Sequence, residues 1–206
     1  MSVYNDRKPL RVMLVDDDVI RASCVEESLR ASGFEVLSII SRPAALLFQI
    51  EQHRPDVVII DLHVPARDIL ESLTVVNAHN PTAMVMFSED NDPDYIQKAF
   101  NAGISTYQIE GIKPELIKPI IEVALAQFRS FQAVKNELKS TQIQLADQKA
   151  IYQAKALLMK HKKMTEDKAH KLLCKLAMEN NQKIGDVAKT VISTLSILEN
   201  KPGDDS

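Results

Sequence analysis

The chain has 206 residues, 45% of them hydrophobic, two cysteines far apart (Cys24 and Cys174) and a net charge of −3. This excludes wholesale disorder, a disulfide scaffold and a cysteine-based zinc site. With no apolar core in the first ten residues, and no run near the ~20 residues of a membrane span, a cytoplasmic protein is expected. The charge is uneven: residues 1–128 carry 11 Lys/Arg against 19 Asp/Glu, and residues 129–199 carry 13 against 7. Either the second part meets a polyanion or it is an ordinary charged surface.

Val12-Met13-Leu14-Val15 is an apolar run that ends in Asp16-Asp17-Asp18. Phe34 to Ile40, Val57 to Ile60 (ending at Asp61), Ala83 to Phe87 (ending at Ser88) and Ser105 to Ile109 (ending at Glu110) repeat the pattern. Unbroken runs of this length predict strands buried on both faces. Helix-length segments separate them, at about 19–32, 43–53, 67–79, 92–102 and from 113 onward. Gly33 and Gly103 stand where a helix would end on a left-handed residue. Five strands alternating with five helices predict a parallel sheet covered on both sides.

Asp16, Asp17, Asp61 and Ser88 then fall at the carboxyl ends of strands one, three and four. In an open α/β sheet that edge is where ligands bind. Converging carboxylates repel one another unless a cation or proton joins them, and hard oxygen ligands suit Mg²⁺. Asp16 to Asp18 could instead simply cap the first helix, but that leaves Asp61 and Ser88 unexplained.

Val15-Asp16-Asp17, Pro55 through Asp61 to Pro65, and Met86-Phe87-Ser88 together resemble a bacterial response-regulator receiver domain, over about residues 10–128. The resemblance implies a flavodoxin-like (βα)5 fold with a parallel five-stranded sheet. It also implies Mg²⁺ on Asp16, Asp17 and Asp61, phosphoryl acceptance by Asp61, and switch positions at Ser88 and Tyr107. One part departs from the family: Glu110 stands where a Lys followed by Pro is usual. An anion there opposes a phosphoryl group of roughly −1.5 to −2. Two readings follow, a phosphorylation-driven switch and a receiver fold reused for protein contact.

From Ile120 to Ile184 there is neither Gly nor Pro. Pro114 suits a helix start, and Pro119 predicts a kink or restart. Beyond it one helix can run to about His161, ~60 Å at 1.5 Å per residue. Ala124, Phe131, Leu138, Leu145, Tyr152 and Met159 recur every seven residues, with a polar companion row. That describes a marginal coiled-coil seam, favouring a homodimer, or else a single helix lying on its own domain. Two amphipathic helices follow: Thr165 caps the first, with Ala169, Leu172, Leu173, Leu176 and Ala177 inward, and Ile184 to Leu198 forms the second. Burying these stripes against the long helix predicts a three-helix bundle with lysines outside.

Ala154 to Met159, Ala169 with Leu172-Leu173, Ala177-Met178, Asn181 and Ile184 through Ala188 resemble the ANTAR RNA-binding domain, over about 145–199. The expected plan is an N-terminal tail at 1–9, a receiver at 10–128, a coiled-coil linker at 129–153, the ANTAR bundle at 154–199 and a disordered tail at 200–206. The order receiver then ANTAR, with Asp61 through Asp68 and the Glu110 departure, is most similar to the NasT-like regulators, and more distantly to AmiR. That similarity implies a non-enzymatic transcription antiterminator that binds leader mRNA hairpins and controls nitrate and nitrite assimilation. It would be held inactive by a NasS-like nitrate-sensing partner. Candidate RNA contacts are Lys155, His170, Lys171, Lys175, Asn181 and Lys183, each of which could also be a solvated helix residue. The alternatives are a phosphorylated response regulator and a DNA-binding helix-turn-helix protein.

Overall fold

The computed structural model describes residues 8–40, 46–62, 67–109 and 111–199. In chain order the elements are β1 (Arg11–Asp16), α1 (Val19–Ala31), β2 (Glu35–Ile40), α2 (Leu46–His53), β3 (Val57–Asp61), α3 (Arg67–His79), β4 (Ala83–Phe87), α4 (Pro93–Asn101) and β5 (Thr106–Gln108). A 3₁₀ turn at Pro114–Leu116 leads into α5 (Ile117–Lys162), then α6 (Glu166–Glu179) and α7 (Ile184–Glu199). The chain divides into two compact units at Gln132/Ala133.

The first unit is a parallel sheet in the order β2-β1-β3-β4-β5. Consecutive strand residues point to opposite faces, and here both faces are covered. Val12, Leu14, Val57, Ile59, Val85 and Phe87 pack against α1 and the start of α5, through Ala22, Val25, Leu29, Ile117, Ile121 and Ala124. Met13, Val15, Val58, Ile60, Met84 and Met86 pack against α2, α3 and α4. This is why the strands read as unbroken apolar runs: almost every one of these side chains is fully buried, each stabilising by about 1.5–3 kcal/mol.

Gly33 and Gly103 take positive φ of 88° and 108°, as their positions implied. A Cβ at Gly103 would also lie 2.5 Å from the Asn77 side chain, so two constraints hold that glycine. Of the kink or restart expected at Pro119, no kink is seen: after the 3₁₀ turn a new helix starts at Ile117 and α5 runs unbroken to Lys162. Pro119 is its third residue, within the first turn, where a backbone N–H would have no helical partner to lose.

In the second unit the last turns of α5 join α6 and α7 around Ala150, Ala154, Leu158, Ala169, Leu173, Ala177, Val187 and Ala188. The alanines are buried at the contacts and allow close helix approach. Lys189 of α7 reaches Asp147 of α5 at 2.7 Å. A Cβ on Gly185 would collide with the Asp147 side chain, so glycine is required for that approach. Thr165 is extended, as an N-cap should be, but its side chain makes no capping bond. Glu166 and Asp167 instead place negative charge in the first turn, favourable to the helix dipole. At the other end of α6, Gln182 N donates to Ala177 O and Asn181 N to Met178 O, with Asn181 at φ 51°. That bonding pattern is a Schellman stop, and Asn tolerates its left-handed residue. Among the described residues no helix is long and apolar enough to cross a membrane.

Candidate functional site

Parallel pairing sets Asp16 beside Asp61 and Asp61 beside Phe87, so the carboxyl ends of β1, β3 and β4 are level. Asp16 is 1% exposed, Asp61 5% and Ser88 4%. Three polar side chains thus enter the interior at one sheet edge. Asp17 remains accessible, with a side chain 43% exposed. Asp18 does the capping: its Oδ1 accepts from Ile20 N at 2.9 Å and Arg21 N at 3.1 Å. Asp16 Oδ1 accepts from Asp18 N at 2.8 Å, which orients the buried carboxylate.

Sequence reasoning missed the cation that this cluster shares. Arg21, in the first turn of α1, donates from Nη2 to Asp16 Oδ1 at 2.7 Å, Asp17 Oδ1 at 3.0 Å and the Asp61 carbonyl at 3.1 Å. Its Nε lies 3.1 Å from Asp16 Oδ2 and 3.3 Å from Asp61 Oδ2. The hydrogen bond to Asp16 and the charges of Asp61, Asp16 and Asp17 hold the guanidinium's pKa above its ordinary value, against the opposing effect of burial. The i,i+4 spacing of Asp17 and Arg21 was the available signal.

This arrangement does not fit Mg²⁺ as it stands. Mg²⁺ demands octahedral oxygens at about 2.0–2.1 Å, and the oxygens expected to supply them converge on a guanidinium. Among the described residues no group of three or more His, Cys, Asp or Glu is set to hold a metal ion.

The two switch positions are joined to the loop after β4. Ser88 N donates to Gln108 O at 3.0 Å, and Ser88 Oγ accepts from Asp90 N at 3.1 Å. Tyr107 Oη donates to the Asp90 carbonyl at 2.8 Å, and its ring meets Tyr95 edge-on at 6.4 Å. Burial raises the pKa of both phenols. Tyr95 Oη is buried with no hydrogen-bond partner among the described residues, a feature no sequence signal marked. Glu110 lies outside the described residues, as do residues 1–7 and 200–206 of the expected tails.

In the second unit the candidate RNA contacts separate. Lys168, Lys171 and Lys175 are exposed on α6, whereas Ala169, Leu173 and Ala177 are buried. At 100° per residue the two sets point roughly 170° apart, so the lysines share the outward face. Lys175 lies 3.7 Å from Glu179, a solvent-exposed i,i+4 pair. Lys155 is different: its side chain is 19% exposed and its Nζ lies 2.6 Å from Glu166 Oε1, bracing α5 to α6. His170 and Lys183 are exposed, and His170 Nε2 lies 3.6 Å from Cys174 Sγ. Asn181 is exposed, and the helix stop already accounts for its identity. On α5 the seven-residue row begins at Ala124, buried in the receiver core, and beyond it stands in solvent: Phe131 is 62% exposed, Leu138 58%, Leu145 52%, Tyr152 71% and Met159 39%.

The chain matches the response regulator receiver domain over residues 12–122 and the ANTAR domain over 139–192. The transcriptional regulatory protein PdtaR of Mycobacterium tuberculosis is 27% identical over 187 residues, 91% of either chain. The probable C4-dicarboxylate response regulator DctR of Priestia megaterium is 28% identical over 155 residues, 70% of this chain and 66% of its own. A CheY-like receiver from Methanospirillum hungatei covers 60% of this chain and 98% of its own at TM-score 0.53 and 21% identity. The receiver of a modulated diguanylate cyclase from Desulfovibrio desulfuricans covers 59% and 98% at TM-score 0.53 and 18% identity. At such identities the two structures show the fold alone.

Proposed function

The chain belongs to the response regulator receiver family and carries an ANTAR domain behind the receiver, and from that premise we propose that it is an RNA-binding transcription antiterminator. The reading rests on the lysine face of α6, which turns three cations to solvent on the side opposite the bundle core. Cations so placed can follow a phosphate backbone, while unstacked bases of a hairpin loop can lie on flat side chains such as His170. The substrate is a leader mRNA hairpin, and two copies of the chain, paired along the exposed α5 row, engage two hairpins.

On the NasT-like resemblance, the proposed targets are nitrate and nitrite assimilation genes and the proposed controlling input is a NasS-like nitrate-sensing protein. Two observations support control by a protein rather than by phosphate. Arg21 occupies the acidic site, and the usual Lys position holds Glu110. Val19 and Ile20, 71% and 80% exposed beside that site, supply apolar surface for such a contact.

Recovery of RNA after crosslinking in cells tests the substrate class and reports the target together. Gel-shift competition between the folded leader and its DNA duplex, at stated salt, tests RNA against DNA. Asp61→Asn is expected to leave leader readthrough intact; collapse of readthrough with the fold preserved returns the case to phosphoryl control.

A further inference from the structure

The oxygens that meet at the receiver's acidic edge come from two separate strand ends, yet they share one nitrogen. Arg21 Nη2 touches Asp16 Oδ1, Asp17 Oδ1 and the Asp61 carbonyl at 2.7, 3.0 and 3.1 Å. A cation coordinated by those same three oxygens would compete with this nitrogen for them. At metal–oxygen distances of about 2.0–2.1 Å the ion would lie no more than about 5 Å from this nitrogen, so the two positive charges repel each other. The neighbouring Nε lies against Asp16 Oδ2 and Asp61 Oδ2, so the guanidinium engages all three carboxylates.

We infer that Arg21 is a resident cation of the receiver site, and that Mg²⁺ enters only by displacing it. Three carboxylates against one guanidinium leave the cluster net negative, so a divalent ion is still attracted. The Arg21 side chain is 24% exposed and has a route to solvent. Competition between the two cations therefore sets the occupancy of the site. This device is independent of what the α6 face binds.

Isothermal titration of the full-length protein with magnesium chloride tests it, comparing wild type with R21Q. R21Q, which keeps much of the side-chain volume and removes the charge, is expected to bind Mg²⁺ at least about tenfold more tightly. It should also melt lower than wild type without the ion and recover when the ion is added. D16N in the R21Q background should abolish the gain. Equal Mg²⁺ affinity in wild type and R21Q overturns the inference. A second measurement does not depend on how the variant folds. In ¹⁵N spectra of wild type, the Arg21 Nε–H signal should shift as Mg²⁺ binds; Mg²⁺ uptake with that signal unmoved also overturns it.

Discussion

Tyr107 at the middle of β5 donates its phenolic proton to the Asp90 carbonyl at 2.8 Å, tying the sheet edge to the loop that follows Ser88. Tyr107→Phe removes that bond and leaves a carbonyl short of its donor, so it is expected to lower unfolding stability by about 1 kcal/mol. The fold should persist, because the Tyr107 ring and its edge contact with Tyr95 are kept. A urea midpoint unchanged by the substitution would show that the bond contributes nothing. Since burial raises the pKa of Tyr107 and Tyr95, the folded protein holds protons that the unfolded chain releases above about pH 10. Stability should therefore fall as pH rises past that value.

The Lys155–Glu166 bridge gives the bundle an acid limb. The hydrogen bond from Lys155, and then its charge, hold the Glu166 carboxyl below its ordinary 4.5. A lowered folded pKa contributes stability above the unfolded value and loses it as pH falls through the folded one. Lys155→Gln should be less stable than wild type at neutral pH, with the difference closing below pH 4.5. Lys189 behaves in the opposite sense, its pKa raised by the hydrogen bond to Asp147. Its contribution is present up to the ordinary Lys value of 10.5 and is lost above it. Urea midpoints across pH, for wild type and Lys155→Gln, check the first of these.

What could be seen in the sequence follows from how many neighbours a residue's role depends on. The strands were legible because burial on both faces removes polar residues from the run, and Asp16, Asp61 and Ser88 were legible because they end such runs. Arg21 was not, because a long side chain can reach in several directions and only the packing of α1 on β1 selects one. Lys155 and Lys171 look alike as letters; the turn from α5 into α6 brings one to Glu166 and leaves the other in water. Asn181 was noticed for its side chain, whereas its backbone does the identifiable work of stopping α6. Pro119 allowed either a kink or a restart, and the choice depends on where the helix begins, which is late enough to place Pro119 in the first turn.

The exposed row on α5 carries a prediction about assembly. Leu138 and Leu145, each more than half exposed, are on one helix seven residues apart. Pairing two such rows would bury them, at about 1.5–3 kcal/mol per leucine. Leu138→Asp combined with Leu145→Asp is expected to weaken self-association at least about 100-fold. Circular dichroism should change little, because neither residue belongs to a buried core. Light scattering over a concentration series gives the answer: a double variant that associates like wild type places the contact elsewhere.

The α6 face is the most exposed part of the proposal to a simple experiment. Lys171→Glu with Lys175→Glu reverses two charges on the outward side of a helix whose opposite side holds Ala169, Leu173 and Ala177. Neither lysine packs in the core, and the Lys175–Glu179 pair is a solvent-exposed i,i+4 contact. Stability should stay within about 0.5 kcal/mol per site of wild type. Affinity for the leader hairpin should be abolished, since favourable phosphate contacts become repulsive, and in wild type the affinity should fall steeply with added salt. Lys155→Gln serves as the contrast: it alters a bridge between α5 and α6 and should move stability more than the salt slope. Retained RNA affinity in the double charge reversal, with the melting temperature unchanged, would show that the nucleic acid is held by another face of the bundle.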